Sequence, residues 1–337
     1  MNILVTGGAG FIGSHTIVEL YHAGFTSIII DNFSNSEPNV LDGIEKIIGI
    51  KPIVYQGDCN DIELLSLIFN KHNIQGVIHF AASKAVGESV AKPLKYYHNN
   101  VSATVTLLET MLKFGISNLV FSSSCTVYGE PDLLPVTENT PIKTANSPYG
   151  NTKQICEEII RDTVNSEQSF RAISLRYFNP IGAHESALIG ELPKGTPSNL
   201  VPFITQVGAG LRTELQVFGN DYNTIDGTCV RDYIHVVDLA KAHVAAINLL
   251  VKSENNTQKY KVYNIGTGSG HTVLEVIKTF EEVSEKPFNY KIMPRRDGDV
   301  TAVFADVSLS EKELGWKTEK SLKDALVDAW RWQLSLK

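Results

Sequence analysis

Tyr149 and Lys153 stand four residues apart in Ser147-Pro148-Tyr149-Gly150-Asn151-Thr152-Lys153. Ser147 reads as an N-cap and Pro148 as the first helical position. The spacing therefore predicts both side chains on one helix face, about 6 Å apart along the axis. A free tyrosine, with a pKa of about 10, is a poor base at neutral pH. An ammonium at about 6 Å in an effective dielectric of about 20 contributes roughly 3 kcal/mol, or about two pKa units. Lysine alone leaves the tyrosine mostly protonated. A second positive charge, such as an oxidised nicotinamide, brings it toward the range where a general base works best. Upstream, Phe121-Ser122-Ser123-Ser124-Cys125-Thr126-Val127-Tyr128-Gly129 ends a predicted strand on its carboxyl side, where ligands gather in open α/β sheets. A hydroxyl from Ser124 can reach the same substrate oxygen as Tyr149, but spacing does not separate Ser122, Ser123 and Ser124. Each can equally satisfy backbone groups.

A Tyr-x-x-x-Lys pair is common on solvated helix faces, so its context decides. The segment Thr6-Gly7-Gly8-Ala9-Gly10-Phe11-Ile12-Gly13 places glycines at positions 7, 10 and 13. Glycine permits a tight turn, lets backbone N–H groups approach a pyrophosphate, and allows the next helix to pack closely on the sheet. The second predicted strand ends in Asp31, about 20 residues on, as a dinucleotide site requires. A carboxylate there accepts from a ribose 2′-hydroxyl and repels a 2′-phosphate. The following Asn32-Phe33-Ser34-Asn35-Ser36 has no cation to offset that repulsion, so the expected cofactor is NAD rather than NADP.

These groups need a scaffold, and the first half supplies one. Strand-like runs at Ile3 to Thr6, Ser27 to Asp31, Ile53 to Gln56, Gly76 to Phe80, Asn118 to Ser122 and Ala172 to Arg176 alternate with apolar-periodic helical segments. Those segments are Phe11 to Ala23, Val40 to Ile48, Asp61 to Lys71, Val101 to Lys113 and Pro148 to Asn165. The rhythm predicts an α/β fold: a Rossmann-type, doubly wound parallel sheet with helices on both faces. After about Phe178 it breaks into Gly-, Pro- and Asn-bearing loops, such as Pro193 to Pro197 and Phe218 to Gly227, which read as binding segments. A helix near Val237 to Val251, a strand near Tyr260 to Ile265 and a last helix from Ser321 to Leu334 complete a smaller mixed α/β lobe. Residues 1–178 are thus expected to form the NAD-binding domain carrying Tyr149 and Lys153. Residues 179–337 are expected to form mainly the substrate lobe, with the chain crossing back to the first domain.

Composition narrows the class. The chain has 337 residues, 43% hydrophobic and 20% charged, with 30 basic against 37 acidic side chains, a balance of −7. Disordered, collagen-like and disulfide-scaffold classes are excluded, and non-specific binding to nucleic acid or a membrane surface is disfavoured. An anionic substrate is not, because a few local donors hold a phosphate. The opening residues lead straight into Ile3-Leu4-Val5 without the pattern of a secretory signal, and no apolar run approaches membrane-spanning length. Cys59, Cys125, Cys156 and Cys229 form no C-x-x-C pair. Reduced thiols in a cytoplasm, and no metal, are expected.

Taken together, the sequence resembles the extended short-chain dehydrogenase/reductases, and most closely their UDP-glucose 4-epimerase family, over nearly its whole length. The resemblance rests on the glycine loop, His79-Phe80-Ala81-Ala82, Lys84-Ala85-Val86-Gly87-Glu88-Ser89, Ser122 to Gly129 and Ser147 to Lys153. It extends through Arg176-Tyr177-Phe178-Asn179-Pro180, Phe218-Gly219-Asn220-Asp221-Tyr222, Arg231-Asp232-Tyr233-Ile234-His235-Val236 and Pro294-Arg295-Arg296. It implies Tyr149 as acid/base, Ser124 as its hydroxyl partner, and Lys153 tuning the tyrosine while holding the nicotinamide ribose. Around NAD it places Phe11, Ile12, Asp31, Asn32, Phe33, Ser34, Asn35, Ser36, Asp58, Cys59, Phe80, Ala81, Ala82, Ser83, Lys84, Asn99 and Phe178, beside Ser124, Tyr149 and Lys153. Around a UDP-hexose it places Asn179, Asn199, Leu200, Gln216, Val217, Phe218, Arg231, Arg296 and Asp299, together with Lys84, Ser124 and Tyr149. Arg231 and Arg296 are guanidinium forks suited to a diphosphate, although either alone also reads as a surface ion-pair member.

The implied reaction is reversible 4-epimerisation of UDP-glucose and UDP-galactose through a 4-keto sugar, with NAD retained and a homodimer formed through Lys95 to Lys113 and Gln154 to Asn165. Val303 stands where some family members carry tyrosine beside the sugar 2-substituent. The smaller valine extends the expectation to UDP-N-acetylglucosamine and UDP-N-acetylgalactosamine, against a plain packing role. The rivals are a 4,6-dehydratase or decarboxylase and an NAD-sensing regulator that has lost the chemistry. Dehydratases of this type typically carry Asp-Glu after the threonine, and here Thr126 is followed by Val127 and Tyr128.

Overall fold

The computed structural model describes residues 1–252, 259–296 and 298–336. The alternating half forms β1 (Asn2–Thr6), α1 (Phe11–His22), β2 (Thr26–Asp31), α2 (Val40–Ile48), β3 (Ile53–Gln56), α3 (Ile62–Lys71) and β4 (Ile74–His79). It continues through the short α4 (Val86–Ala91) and α5 (Pro93–Tyr96) into α6 (Ser102–Lys113), β5 (Asn118–Ser122), α7 (Pro148–Ser166) and β6 (Arg171–Tyr177). The remainder comprises β7 (Asn179–Ile181), α8 (Leu200–Gly208), β8 (Leu215–Phe218), β9 (Val230–Arg231), β10 (Tyr233–His235), α9 (Val236–Lys252) and β11 (Tyr260–Ile265). It ends with β12 (His271–Thr272), α10 (Val273–Ser284), β13 (Tyr290–Met293), β14 (Ala302–Val303), α11 (Ser308–Leu314) and α12 (Leu322–Ser335).

Seven strands form one sheet in the order β11-β6-β5-β4-β1-β2-β3, every pair parallel. The order reverses between β1 and β4, which puts a ligand crevice at their carboxyl ends. Period-two alternation sorts the core. Ile3, Val5, Ile29, Ile78 and Val120 face α1, α2 and α9, while Leu4, Ile28, Ile30, Val77 and Leu119 face α3, α6 and α7. Both α9 and β11 lie beyond residue 178 yet belong to this large layer: Leu239, Ala242, Ala246 and Ile247 pack against α1 and the sheet. The smaller lobe closes around Ile204, Val217, Ile277, Phe280 and Leu326, from α8, β8, α10 and α12. No helix among the described residues is long and apolar enough to cross a membrane.

Three histidines in the large layer are wholly buried, and burial pushes His15 and His79 down to about 3 and His243 down to about 4. In the unfolded chain each protonates near pH 6.5, so below that pH the unfolded state binds more protons. Their contribution is complete above pH 6.5 and is lost as pH falls toward 4. Each group should remove about 1.4 kcal/mol per pH unit in that window. Urea unfolding at stepped pH measures this, and a stability that stays flat between pH 6.5 and 5 would contradict it.

Candidate active site

The glycine loop is shaped by close approach. Gly7 has φ +68°, and a Cβ there would lie 2.8 Å from the Ala81 nitrogen, while one on Gly13 would lie 2.3 Å from the Gly7 carbonyl oxygen. Gly10 caps α1 without any side-chain bond, so the first amides of a 12-residue helix open onto the crevice. Asp31, at the end of β2, accepts from Ala9 N (3.0 Å), Phe33 N (2.9 Å) and the Ser36 hydroxyl (3.0 Å). None of these donors is a cation, so nothing bonded to the carboxylate offsets its preference for a ribose hydroxyl over a phosphate.

A cavity of about 800 Å³ follows. Gly7, Gly10, Phe11, Ile12 and Gly13 form one end, with Asp31, Asn32, Ser34, Asn35, Ser36, Asp58 and Cys59 beside them. Phe80, Ala81, Ala82, Ser83, Lys84 and Asn99 form the floor, and Tyr149 and Lys153 the far end. Asn99 lies in a π-helical turn, Tyr97–Val101, and the next residue, Asn100, fixes Ser83 by accepting from its N–H (2.8 Å) and donating to its carbonyl (3.0 Å). The Cys59 thiol is pushed up to about 12, by burial first and Asp58 next, and is inert. Open helix amides and a carboxylate one strand over, on the wall of one cavity, fit a dinucleotide. Phe33, Ser124 and Phe178 lie outside this wall: Phe33 offers its carbonyl to Lys194 Nζ (2.9 Å), and Phe178 is buried with Cys125 and Val303.

Ser147 caps α7, its hydroxyl accepting from Gly150 N at 3.1 Å, and Pro148 opens the helix. Lys153 Nζ donates to the Ser122 carbonyl (2.7 Å) and lies 6.0 Å from the Tyr149 ring centre. The three serines separate here. Ser122 holds the lysine through its carbonyl, and the Ser123 hydroxyl donates to Glu157 (2.5 Å). Ser124 accepts from Thr126 N (3.2 Å) and the Thr126 hydroxyl (3.0 Å), so its own proton is free for the Tyr149 oxygen.

One expectation is corrected. Tyr149 does not titrate two units below a free tyrosine: burial first, then Tyr177, raise it well above the usual value, and the Ser124 hydroxyl only partly offsets this. Burial also pulls Lys153 down to about 8, which still leaves it mostly cationic at neutral pH. Desolvation outweighs the pairwise attraction because both groups sit in the sheet crevice with almost no exposure.

Of the residues expected around the nucleotide, Phe218, Arg231, Arg296, Asp299 and Val303 form a second cluster, while Asn199 lines the first cavity. Arg231 on β9 lies opposite Val303 on β14 and donates to the Val230 and Val300 carbonyls, both at 2.8 Å. Asp299 receives Arg231 at 3.4 Å and Arg296 at 3.0 Å, so that these three described residues together carry one positive charge, and the Arg296 guanidinium stacks 4.8 Å over the Phe218 ring. Arg231 acts electrostatically on Cys125, next to Ser124, which ties this cluster to the tyrosine. Asn179 begins β7, its N–H bonded to the Asp232 carbonyl at 2.9 Å. Asn199 caps α8 and Leu200 starts it. On β8, Gln216 is exposed and Phe218 half-buried, but Val217 is a core residue of the small lobe, so its side chain is turned away from any ligand. Val303 is buried against Cys125 and Phe178.

Sequence reasoning missed Tyr177, Glu191, Lys194 and Trp332, which also line the cavity. Lys194 lies inside the Pro193 to Pro197 loop, read as a binding segment without naming the residue, and Glu191 stands just before it; Trp332 had no such signal.

The model of a family described as GDP-mannose 4,6 dehydratase matches residues 4–328. The UDP-glucose 4-epimerase of Haemophilus influenzae is 50% identical over 333 residues, 99% of this chain and 97% of that protein. The UDP-glucose 4-epimerase of Bacillus subtilis is 49% identical over 335 residues, with 99% and 97% covered. The crystal structure of UDP-glucose 4-epimerase from Bifidobacterium longum, in complex with NAD+ and UDP, superposes with a TM-score of 0.96 at 49% identity, covering 100% of this chain and 99% of that one. Full-length identity near one half, joined to the same sheet and crevice, places this chain in the nucleotide-sugar family described as GDP-mannose 4,6 dehydratase and, within it, among the UDP-glucose 4-epimerases.

Proposed function

We propose that the chain catalyses reversible inversion at C4 of UDP-glucose and UDP-galactose with NAD, and acts on the 2-N-acetyl counterparts as well. The observation that carries the reading is Tyr149 at the end of a dinucleotide cavity, with the Ser124 hydroxyl next to it outside the cavity wall and toward the arginine cluster. When bound, NAD supplies the hydride acceptor and donor at C4 and a positive charge near Tyr149; the two transfers cancel, so none is consumed. Tyr149 takes the proton of the C4 hydroxyl as the carbonyl forms, and returns it to the same oxygen after the sugar has turned over, so that C4 is inverted. Ser124 donates to the same oxygen and stabilises charge there. Arg231 and Arg296 anchor the diphosphate, so binding energy rests on the nucleotide and the hexose stays free to rotate. Elimination at C5–C6 would call for carboxylates after Thr126, whereas Val127 is core and Tyr128 is buried with its hydroxyl on Asn264 (2.6 Å). We place the enzyme in the cytoplasm, in keeping with four unpaired, buried cysteines, and assign it a homodimer through the α6 and α7 region on the strength of the family resemblance.

Incubation with UDP-galactose and with UDP-N-acetylgalactosamine, no NAD added, tests class, cofactor retention and breadth together. Conversion of both is expected. Protein that is free of nicotinamide and consumes added NAD stoichiometrically would refute the scheme. Val303→Tyr adds a ring to a buried position next to the cluster, and should lower the specificity constant for the acetylated pair by about tenfold to a hundredfold while sparing the plain pair. Wild-type protein without N-acetyl activity would overturn that role.

A further inference from the structure

The segment 187–199 crosses the cavity like a strap, and three of its ties meet at one residue. At its start Ile189 is in the large core, and the Gly43 position on α2 leaves no room for a Cβ against the Leu188 carbonyl oxygen. Beyond the cavity Lys194 Nζ donates to the Phe33 carbonyl (2.9 Å) and pairs with Glu37 (3.3 Å), beside Asp31. Between these points stands Glu191, its side chain only 11% exposed. Its carboxylate accepts from Asn199 at the start of α8 (2.8 Å) and from Lys84 after β4 (3.5 Å). Its carbonyl accepts from the Trp332 indole of α12 (3.0 Å), and the same indole fills the space above Gly190.

A carboxylate is an unexpected group beside a site for two anionic diphosphates, because on charge alone it weakens their binding. Its contacts explain it mechanically: it joins the cavity floor, the start of the nucleotide lobe and the last helix. We propose that Glu191 is a positioning residue that holds this strap across the dinucleotide and so keeps NAD bound between turnovers. The proposal rests on the reading given under Proposed function.

The test measures loss of NAD from purified holoenzyme during dilution and gel filtration, by nucleotide released on acid denaturation. Glu191→Ala removes the ties to Asn199 and Lys84 and should speed NAD loss about tenfold. Glu191→Gln keeps an acceptor for Asn199 without the charge, and should stay within about threefold of wild type. Trp332→Phe, which fills similar space without the N–H, should speed loss by about threefold to tenfold with unchanged thermal unfolding. Slower or unchanged NAD loss in Glu191→Ala is what charge alone predicts, and would overturn the proposal. Acceleration in the Gln variant alone, with none in the Ala variant, would overturn it too, because removing both ties must loosen the strap at least as much as removing one. Wild-type protein that carries no nicotinamide or leaves UDP-galactose unchanged would instead refute the underlying functional reading.

Discussion

Tyr149→Phe is expected to lower turnover of UDP-galactose by about a thousandfold while leaving bound NAD in place, since general acid–base groups contribute about 10² to 10⁴. The ring remains, so packing in the crevice is kept, and what disappears is the hydroxyl next to Ser124 that takes and returns the proton. The protein by itself holds that proton tightly, through burial and Tyr177. Lys153, pulled down to about 8 and donating to the Ser122 carbonyl, stays mostly cationic at neutral pH but does not by itself offset that burial. The acidifying charge must then arrive with the oxidised cofactor, which couples proton removal to the state in which a hydride can be accepted. Steady-state rates with NAD content measured on the same samples check this. Retention of more than a tenth of the wild-type rate would remove Tyr149 from the acid/base role and point to Tyr177, whose hydroxyl interacts with that of Tyr149.

Arg176→Ala should cost about 3–5 kcal/mol of folding stability, read as a shift in the urea midpoint. Glu157 on α7 takes Arg176 Nε at 3.0 Å and Nη2 at 2.6 Å, and both side chains are about 5% exposed. Without the guanidinium the carboxylate keeps the Ser123 hydroxyl but no cation, and Tyr128 loses a donor at 3.1 Å. The double replacement Glu157→Met with Arg176→Met should recover much of the loss, because it removes the stranded charge along with its partner. A single-variant loss under about 1 kcal/mol would show that water reaches the pair. The pair also has a functional consequence. It ties β6, α7 and Ser123 into one unit, and that unit carries Ser124 on one side and Lys153, one turn before Glu157, on the other.

Much of this arrangement was legible along the chain. The strand and helix pattern of the first half is local: alternation and caps such as Ser147-Pro148 write themselves into adjacent residues, and six predicted strands appear with their ends moved by no more than two residues. Less of the second half was read. Helix α10 begins with a reciprocal capping box between Thr272 and Glu275, a local signal that was available and unused. The π-turn at Tyr97–Val101 has no sequence rule to announce it; it follows from anchoring Asn100 to Ser83 and Thr152.

By itself the sequence determined the class of chemistry: a glycine turn, an acidic residue one strand later and a Tyr–Lys helix face, each set by short spacings and residue type. Only the tertiary structure decided which serine meets the tyrosine, that Val217 belongs to the core, and that Tyr149 is more weakly acidic than a free tyrosine. It also decided that α9 and β11 return to the large layer and that Glu191 joins three distant elements. The physical reason is common to all of these. Desolvation, packing and long-range hydrogen bonds depend on residues brought together across tens to more than a hundred positions, and no local pattern encodes those distances.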